Sequence, residues 1–319
     1  MRHLYFLPCW FAAASIAHAA APGRCDAVDY TVEQNIPFVK ATVEGKTYRL
    51  MLDTGAGLSM VLEQSILDSL TTLRPTSETH RSMDLGGNVQ ANPVFTVAAV
   101  TLGGTTLENV EVHRFQPWGA GLGTPPPDHP RFDGVIGLGA LSRFDVSVDP
   151  QAGKLYFGTF DACMGARPAQ WETLPLAWVN DGIRVSAQLD GQPRTLIFDS
   201  GSALSILRKT SVPSGVDDRI CTVRAGDAQT TRRYTPRHFE VGGKARVSPG
   251  FLLFDMGDPR IEFDGLLGLD FQQRYVIHYG FSDKRLRMAP AAVRPGDEIG
   301  PWRCEGEDST DGRENEAKT

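Results

Sequence analysis

The chain has 319 residues, 41% of them apolar and 22% charged, with a formal net charge of −6; this is the composition of a soluble globular protein. Its acidity argues against electrostatic capture of nucleic acid or of an anionic membrane, and no apolar run approaches the roughly 18 residues that a membrane-crossing helix requires. The 33 Gly and 21 Pro residues favour short strands and turns over long helices, and the length suits two domains of about 150 residues each.

In chain order, the first expectation is an export signal over residues 1–19. Arg2 gives a positive start, Leu4 to Ile16 is mostly apolar, and Ala17-His18-Ala19 is a small-x-small cleavage site. The stretch from Ala20 to Asp53 leaves room for only a short pro-segment, since most of it is needed for strands. The protein is therefore expected to be exported, periplasmic or secreted, without membrane insertion. Beyond the signal lie Cys25, Cys163, Cys221 and Cys304. Four cysteines in an oxidising compartment suggest two disulfides among three possible pairings. Cys25–Cys163 with Cys221–Cys304 is the favoured pairing, because it keeps the second bridge within or beside the second half. No Cys-x-x-Cys occurs, and no metal site is expected.

The sequence repeats. Placing Asp53 on Asp199, an offset of 146, aligns Glu44-Gly45 with Asp190-Gly191, Leu50-Met51-Leu52 with Leu196-Ile197-Phe198, and Leu58-Ser59-Met60 with Leu204-Ser205-Ile206. Each copy reads as two strands joined by a tight acidic-Gly turn, ending in Asp-Thr-Gly or Asp-Ser-Gly. Further on, Leu102-Gly103-Gly104 matches Val241-Gly242-Gly243, and Phe132 to Leu138 (FDGVIGL) matches Phe263 to Leu269 (FDGLLGL). The repeat places one half at residues 26–160 and the other at 176–290, joined by a linker at 161–175. The remainder, 291–319, is polar and acidic and is expected to be disordered.

An apolar strand that ends in Asp-Thr/Ser-Gly delivers a carboxylate to a loop. The glycine lets the backbone turn tightly beneath it and offers N–H groups to it. If the halves pack about a pseudo-two-fold axis, Asp53 and Asp199 meet. Two carboxyls that close share one proton, and such a pair can deprotonate a water while protonating a carbonyl oxygen.

These residues resemble the bilobed pepsin-type and retropepsin-like aspartic peptidases. The resemblance is carried by Asp53-Thr54-Gly55-Ala56, Asp199-Ser200-Gly201-Ser202, Val135-Ile136-Gly137 and Leu266-Leu267-Gly268; the segment from Gly268-Leu269-Asp270-Phe271 to Ala289-Pro290 is similar to the closing segment of such enzymes. It implies a mainly β, two-lobed acid-protease fold of two related β-barrel-like lobes. Asp53 and Asp199 would be the catalytic pair, supported by Thr54, Gly55, Ser200, Gly201 and Ser202, with Thr54 and Ser200 hydrogen-bonding across the lobe junction. The activity implied is an aspartic endopeptidase acting on an extended peptide or protein, monomeric and without cofactor. The alternative is a peptide-binding protein on the same fold that cleaves weakly or not at all.

Several positions depart from that pattern. Residue 56 is Ala where residue 202 is Ser; a Ser202 hydroxyl donating to Asp199 would leave the charge on Asp199 and the proton on Asp53. A candidate flap, Arg81 to Val94, carries Leu85, Gly86 and Gly87 at its tip and contains no Tyr or Trp, which resembles a retropepsin flap. Trp118, in a Gly- and Pro-rich loop, is a further candidate for contact with substrate. Asp133 and Asp264 are paired acids expected to satisfy local backbone N–H groups rather than to take part in chemistry.

Overall fold

Each copy of the repeat folds as a hairpin whose turn needs left-handed backbone at two successive residues. Glu44 and Gly45 have φ of 49° and 77°, and Asp190 and Gly191 have φ of 50° and 77°. This is the geometry that matches the twist of a two-residue hairpin. The hairpins are Ile36–Val43 with Lys46–Asp53, and Gly182–Leu189 with Gln192–Phe198. The computed structural model describes residues 23–116, 131–166, 170–179, 182–225, 229–291 and 304. The expected signal, Trp118 and the expected acidic tail other than Cys304 and Ala291 lie outside the described residues.

The Phe-Asp-Gly-x-x-Gly repeats become strands beside these hairpins. Gly134–Gly137 runs parallel to Lys46–Asp53 and antiparallel to Met60–Leu62. Gly265–Leu267 does the same between Gln192–Phe198 and Ile206–Arg208. The glycine that opens each segment is required by close packing: a Cβ on Gly134 would lie 2.0 Å from the Val61 carbonyl oxygen, and one on Gly265 would lie 2.2 Å from that of Ile206. The aspartate before each glycine turns back to the neighbouring strand. Asp133 accepts from the Arg49 N–H at 2.7 Å, and Asp264 accepts from the Thr195 N–H at 2.8 Å. Both acids therefore hold strands in register, as expected of them.

The molecule is mainly β and two-lobed. A 13-stranded sheet and a 10-stranded sheet carry the strands, and the buried apolar side chains fall into two large clusters. One is drawn from residues between Val28 and Phe157, the other from Leu138 and residues between Leu174 and Met288. The halves are also sewn together at their base. Tyr275–Gly280 pairs with Val146–Asp149, and Glu172–Pro175, in the stretch read as linker, adds a strand against Arg285–Pro290. The seam has buried polar fastenings: Ser147 Oγ lies 2.8 Å from His278 Nδ1, and the Asp145 carboxylate accepts from the Ser282 N–H and hydroxyl at 2.8 and 2.6 Å.

Both disulfides join the cysteines that the sequence favoured, Cys25 to Cys163 and Cys221 to Cys304. The first closes a span of 138 residues and ties the residue before the strand Asp26–Glu33 to the short helix Phe160–Cys163. Cys25→Ser combined with Cys163→Ser is expected to lower the unfolding free energy by about 2–5 kcal/mol, measured by urea unfolding without reductant.

Candidate active site

Asp53 is the last residue of Lys46–Asp53, whose Leu50 and Leu52 are buried in the first core. Asp199 directly follows Gln192–Phe198, whose Leu196 and Phe198 are buried in the second. These strands therefore drive two carboxyls, 146 residues apart, towards the same point. What joins them there is an exchange of hydrogen bonds. The Thr54 N–H donates to Ser200 Oγ at 3.0 Å, and the Ser200 N–H donates to Thr54 Oγ1 at 3.0 Å. Each hydroxyl then donates across the junction, Thr54 to the Phe198 carbonyl at 3.0 Å and Ser200 to the Leu52 carbonyl at 2.8 Å.

The glycines after these residues face the opposite acid. A Cβ on Gly55 would sit 2.4 Å from the carboxyl carbon of Asp199, and one on Gly201 would sit 2.5 Å from that of Asp53. No larger residue fits either position while the acids meet. Asp53 Oδ1 accepts from the Gly55 and Ala56 N–H groups at 2.8 and 3.1 Å, whereas Asp199 Oδ1 accepts from the Ser202 N–H at 3.1 Å.

Burial pushes both carboxyls above the ordinary carboxylate range. Asp199 rises well above it, because the charge on Asp53 adds to the cost of burial. For Asp53 the amide donors oppose the rise. The two carboxyls therefore share a proton. The Ser202 hydroxyl, expected from the sequence to donate to Asp199, donates instead to the Leu204 carbonyl at 2.7 Å.

Beneath the second loop lies a buried acid with no counterpart in the first. Asp270 accepts from the Ser205 N–H at 3.0 Å and from its hydroxyl at 2.7 Å, and Ser205 Oγ in turn accepts from the Gly268 N–H at 3.1 Å. Burial raises Asp270 to about 6. In the first half Gly139 stands there, where a Cβ would lie 2.6 Å from Ser59 Oγ.

The pair forms the floor of a cleft of about 780 Å³. Over it hangs the hairpin Arg74–Met83 with Val89–Leu102, longer than the sequence suggested. Its turn is held by the Asp84 carboxylate, which accepts from the Gly86 and Asn88 N–H groups at 2.9 Å each. Leu85 lines the cleft. Gly87, with φ of 85°, packs against Asp258, and its carbonyl accepts from Arg260 at 3.2 Å. The flap tip therefore reaches the opposite half. An aromatic residue that the sequence did not single out also lines the cleft. Trp178, 42% exposed, sits on Ala177–Val179 with its ring edge-on to Phe281 at 5.9 Å. Among the described residues no three His, Cys, Asp or Glu side chains gather as metal ligands do, and no helix is long and apolar enough to cross a membrane.

Residues 39–140 match the aspartyl protease family. Among solved structures the chain is similar to the aspartic proteinase from Irpex lacteus, with a TM-score of 0.52 and 17% identity, over 84% of this chain and 98% of that one. At that identity the likeness is one of fold. No curated protein matches.

Thr54→Val and Ser200→Ala each leave buried groups of the opposite loop unmet, and each is expected to cost about 1–3 kcal/mol. The two losses should not add in the double variant, because the bonds belong to one exchange; denaturant unfolding of the three proteins measures this. A carboxyl whose pKa is raised by folding stabilises the fold below its unfolded value, near 3.9, and that contribution disappears as pH rises through the folded value. Asp199→Asn is therefore expected to raise the thermal midpoint at pH 7 above that of the wild type and to flatten the fall in stability with pH, the remaining slope belonging in part to Asp270.

Proposed function

We propose, on the premise that the chain belongs to the pepsin/retropepsin-like aspartic peptidase family, that it is an endopeptidase that cuts an extended peptide with a water held between Asp53 and Asp199. The observation that supports this most directly is the meeting of two buried carboxyls, both raised above the ordinary carboxylate range, on the floor of an open cleft. The charged Asp53 takes a proton from the water as its oxygen bonds to the peptide carbonyl carbon, and Asp199 gives its proton to the carbonyl oxygen. The product is a neutral gem-diol. Its collapse returns one hydroxyl proton to Asp199 while Asp53 delivers its proton to the leaving nitrogen, and the C–N bond breaks. No covalent enzyme intermediate forms.

Thr54 and Ser200 act as positioning residues by fixing the two loops. Gly55 and Gly201 admit the opposing carboxyls, and Ser202 supports Asp199 through its backbone. Leu85, Gly86 and Gly87 form the part of the flap that covers a bound peptide. The strand-like peptide would hydrogen-bond to the flap and set alternate side chains in pockets. The lobes run over 26–160 and 176–290, and the chain works as a monomer without cofactor. The two disulfides support an exported protein.

Because one carboxyl must be charged and the other neutral, the rate should trace a bell against pH. It falls at low pH as the pair gains a second proton and at high pH as it loses the shared one. Both limbs should lie above the pKa of a free aspartate. A mixed peptide library incubated from pH 3 to 7 provides the test. Asp53→Asn and Asp199→Asn are each expected to lower kcat/KM by about three orders of magnitude or more, with KM far less affected. Undiminished cleavage in either variant, or binding without cleavage by the wild type throughout, would sink the reading.

A further inference from the structure

Ser59 and Ser205 stand at the same place in the two copies of the repeat, yet their loops close differently. In the first half the Gly137 N–H donates to the Ser59 backbone carbonyl at 3.0 Å. In the second the matching Gly268 N–H donates at 3.1 Å to Ser205 Oγ, while the Ser205 carbonyl accepts from the Leu252 N–H at 3.0 Å. The closing bond of the second loop is therefore made to a side chain. A hydroxyl turns freely about its own bonds until its proton finds an acceptor. Asp270 supplies one: it accepts from the Ser205 hydroxyl with one oxygen and from the Ser205 N–H with the other. Both residues are buried.

From Ser205 the contact runs back to the reacting acid. The Asp270 N–H donates to the Ala203 carbonyl at 3.2 Å, and the Leu269 N–H donates to the Ser202 carbonyl at 2.8 Å. The Ser202 N–H, at the other end of this stretch, donates to Asp199 Oδ1 at 3.1 Å and favours its charged form. Residues 202–205 are thus fastened along their length to residues 268–270, with Asp270 at the end remote from Asp199. Gly139 takes its place in the first half, where a Cβ would lie 2.6 Å from Ser59 Oγ, so Asp53 has no such support.

We propose that Asp270 is a positioning residue for Asp199: by holding both donors of Ser205 it fixes residues 202–205, and with them the Ser202 amide that bonds to Asp199. This rests on the proposed peptidase function, in which Asp199 is one of the two reacting acids. A carboxylate suits the task because each of its oxygens accepts, and bonds to a charged acceptor are the stronger ones. Arg274 favours that charged form. An amide in its place accepts with one atom and turns N–H groups towards the second donor. The Ser205 N–H and hydroxyl then compete for a single acceptor, and a buried donor left unmet moves away from its site.

The test separates positioning from plain charge by sign. Asp270→Asn removes a negative charge, and a charge felt directly by Asp53 and Asp199 would let the pair lose its shared proton at a lower pH than in the wild type. Loosening the Ser202 donor acts in the other direction, because that donor favours the charged form of Asp199. Ser205→Ala removes the hydroxyl and keeps the acid. In both variants of the full chain, each shown folded by thermal unfolding, carbon-13 NMR of the aspartate carboxyls is expected to place the loss of the shared proton at a higher pH than in the wild type. With a peptide that the wild type cuts, kcat should fall about tenfold or more while KM changes far less. If one variant does not fold, the other decides. The proposal is overturned if the proton is lost at a lower pH in Asp270→Asn, or if the titration is unmoved in both variants. It is also overturned if neither variant folds, since the two residues would then be part of what makes the fold. Should the titration rise as expected while the wild type cuts no peptide at any pH, the positioning role stands and the peptidase reading alone fails.

Discussion

Thr54 and Ser200 leave the two halves of the molecule no choice of register. Each hydroxyl accepts from the other's amide and spends its only proton on the opposite strand, at Phe198 and Leu52. Four bonds therefore lock two loops that would otherwise separate, because the next residue on each chain, counting backwards, is an acid. Bringing Asp53 and Asp199 together costs desolvation and repulsion, and both carboxyls register that cost as a raised pKa. The exchange between Thr54 and Ser200, with the cores behind it, holds the acids in place against this. Gly55 and Gly201 complete the constraint by leaving no Cβ where the opposite carboxyl must lie.

The same logic reaches the base of the molecule. Val146–Asp149 and Tyr275–Gly280 belong to different halves but to one sheet, and the Ser147–His278 and Asp145–Ser282 contacts are buried or half-buried on that seam. Relative motion of the halves would break both the seam and the exchange at the acids. The flap stands outside these fastenings. Its tip is held across the cleft by little more than the contact of Gly87 with Asp258 and Arg260, both exposed to solvent to some degree.

Where the two copies of the repeat agree, the sequence was legible. The acidic-Gly turns and the backbone partners of Asp133 and Asp264 stem from short-range chemistry written twice. The disulfide pairing was legible too, since it keeps the second bridge within or beside the second half. Features that depend on a single copy were not. Tyr275–Gly280 joins the first half's sheet, yet nothing in its apolar run distinguishes a partner in one half from a partner in the other. Trp178 faces the cleft because Ala177–Val179 pairs with Gly182–Leu189, and an isolated Trp after a Pro-Leu-Ala run carries no signal of that pairing. The direction of the Ser202 hydroxyl was beyond reach for a similar reason: a hydroxyl serves a carbonyl as readily as a carboxylate, and only the loop's conformation decides.

The Ser202 hydroxyl also shows how far a side-chain argument reaches. Such an argument looks at Ala56 and Ser202 and grants Asp199 an extra donor. In the structure that hydroxyl is turned to the Leu204 carbonyl, and both acids take their donors from backbone amides, those of Gly55 and Ala56 for Asp53 and that of Ser202 for Asp199. Amide donors favour the charged form of the carboxyl that they face, and at both acids they oppose the rise that burial imposes. The charge of one acid raises the other, so the two share a proton. The buried Asp270, bound to Ser205 under the second loop where the first half has Gly139, is the difference that the repeat does not carry across.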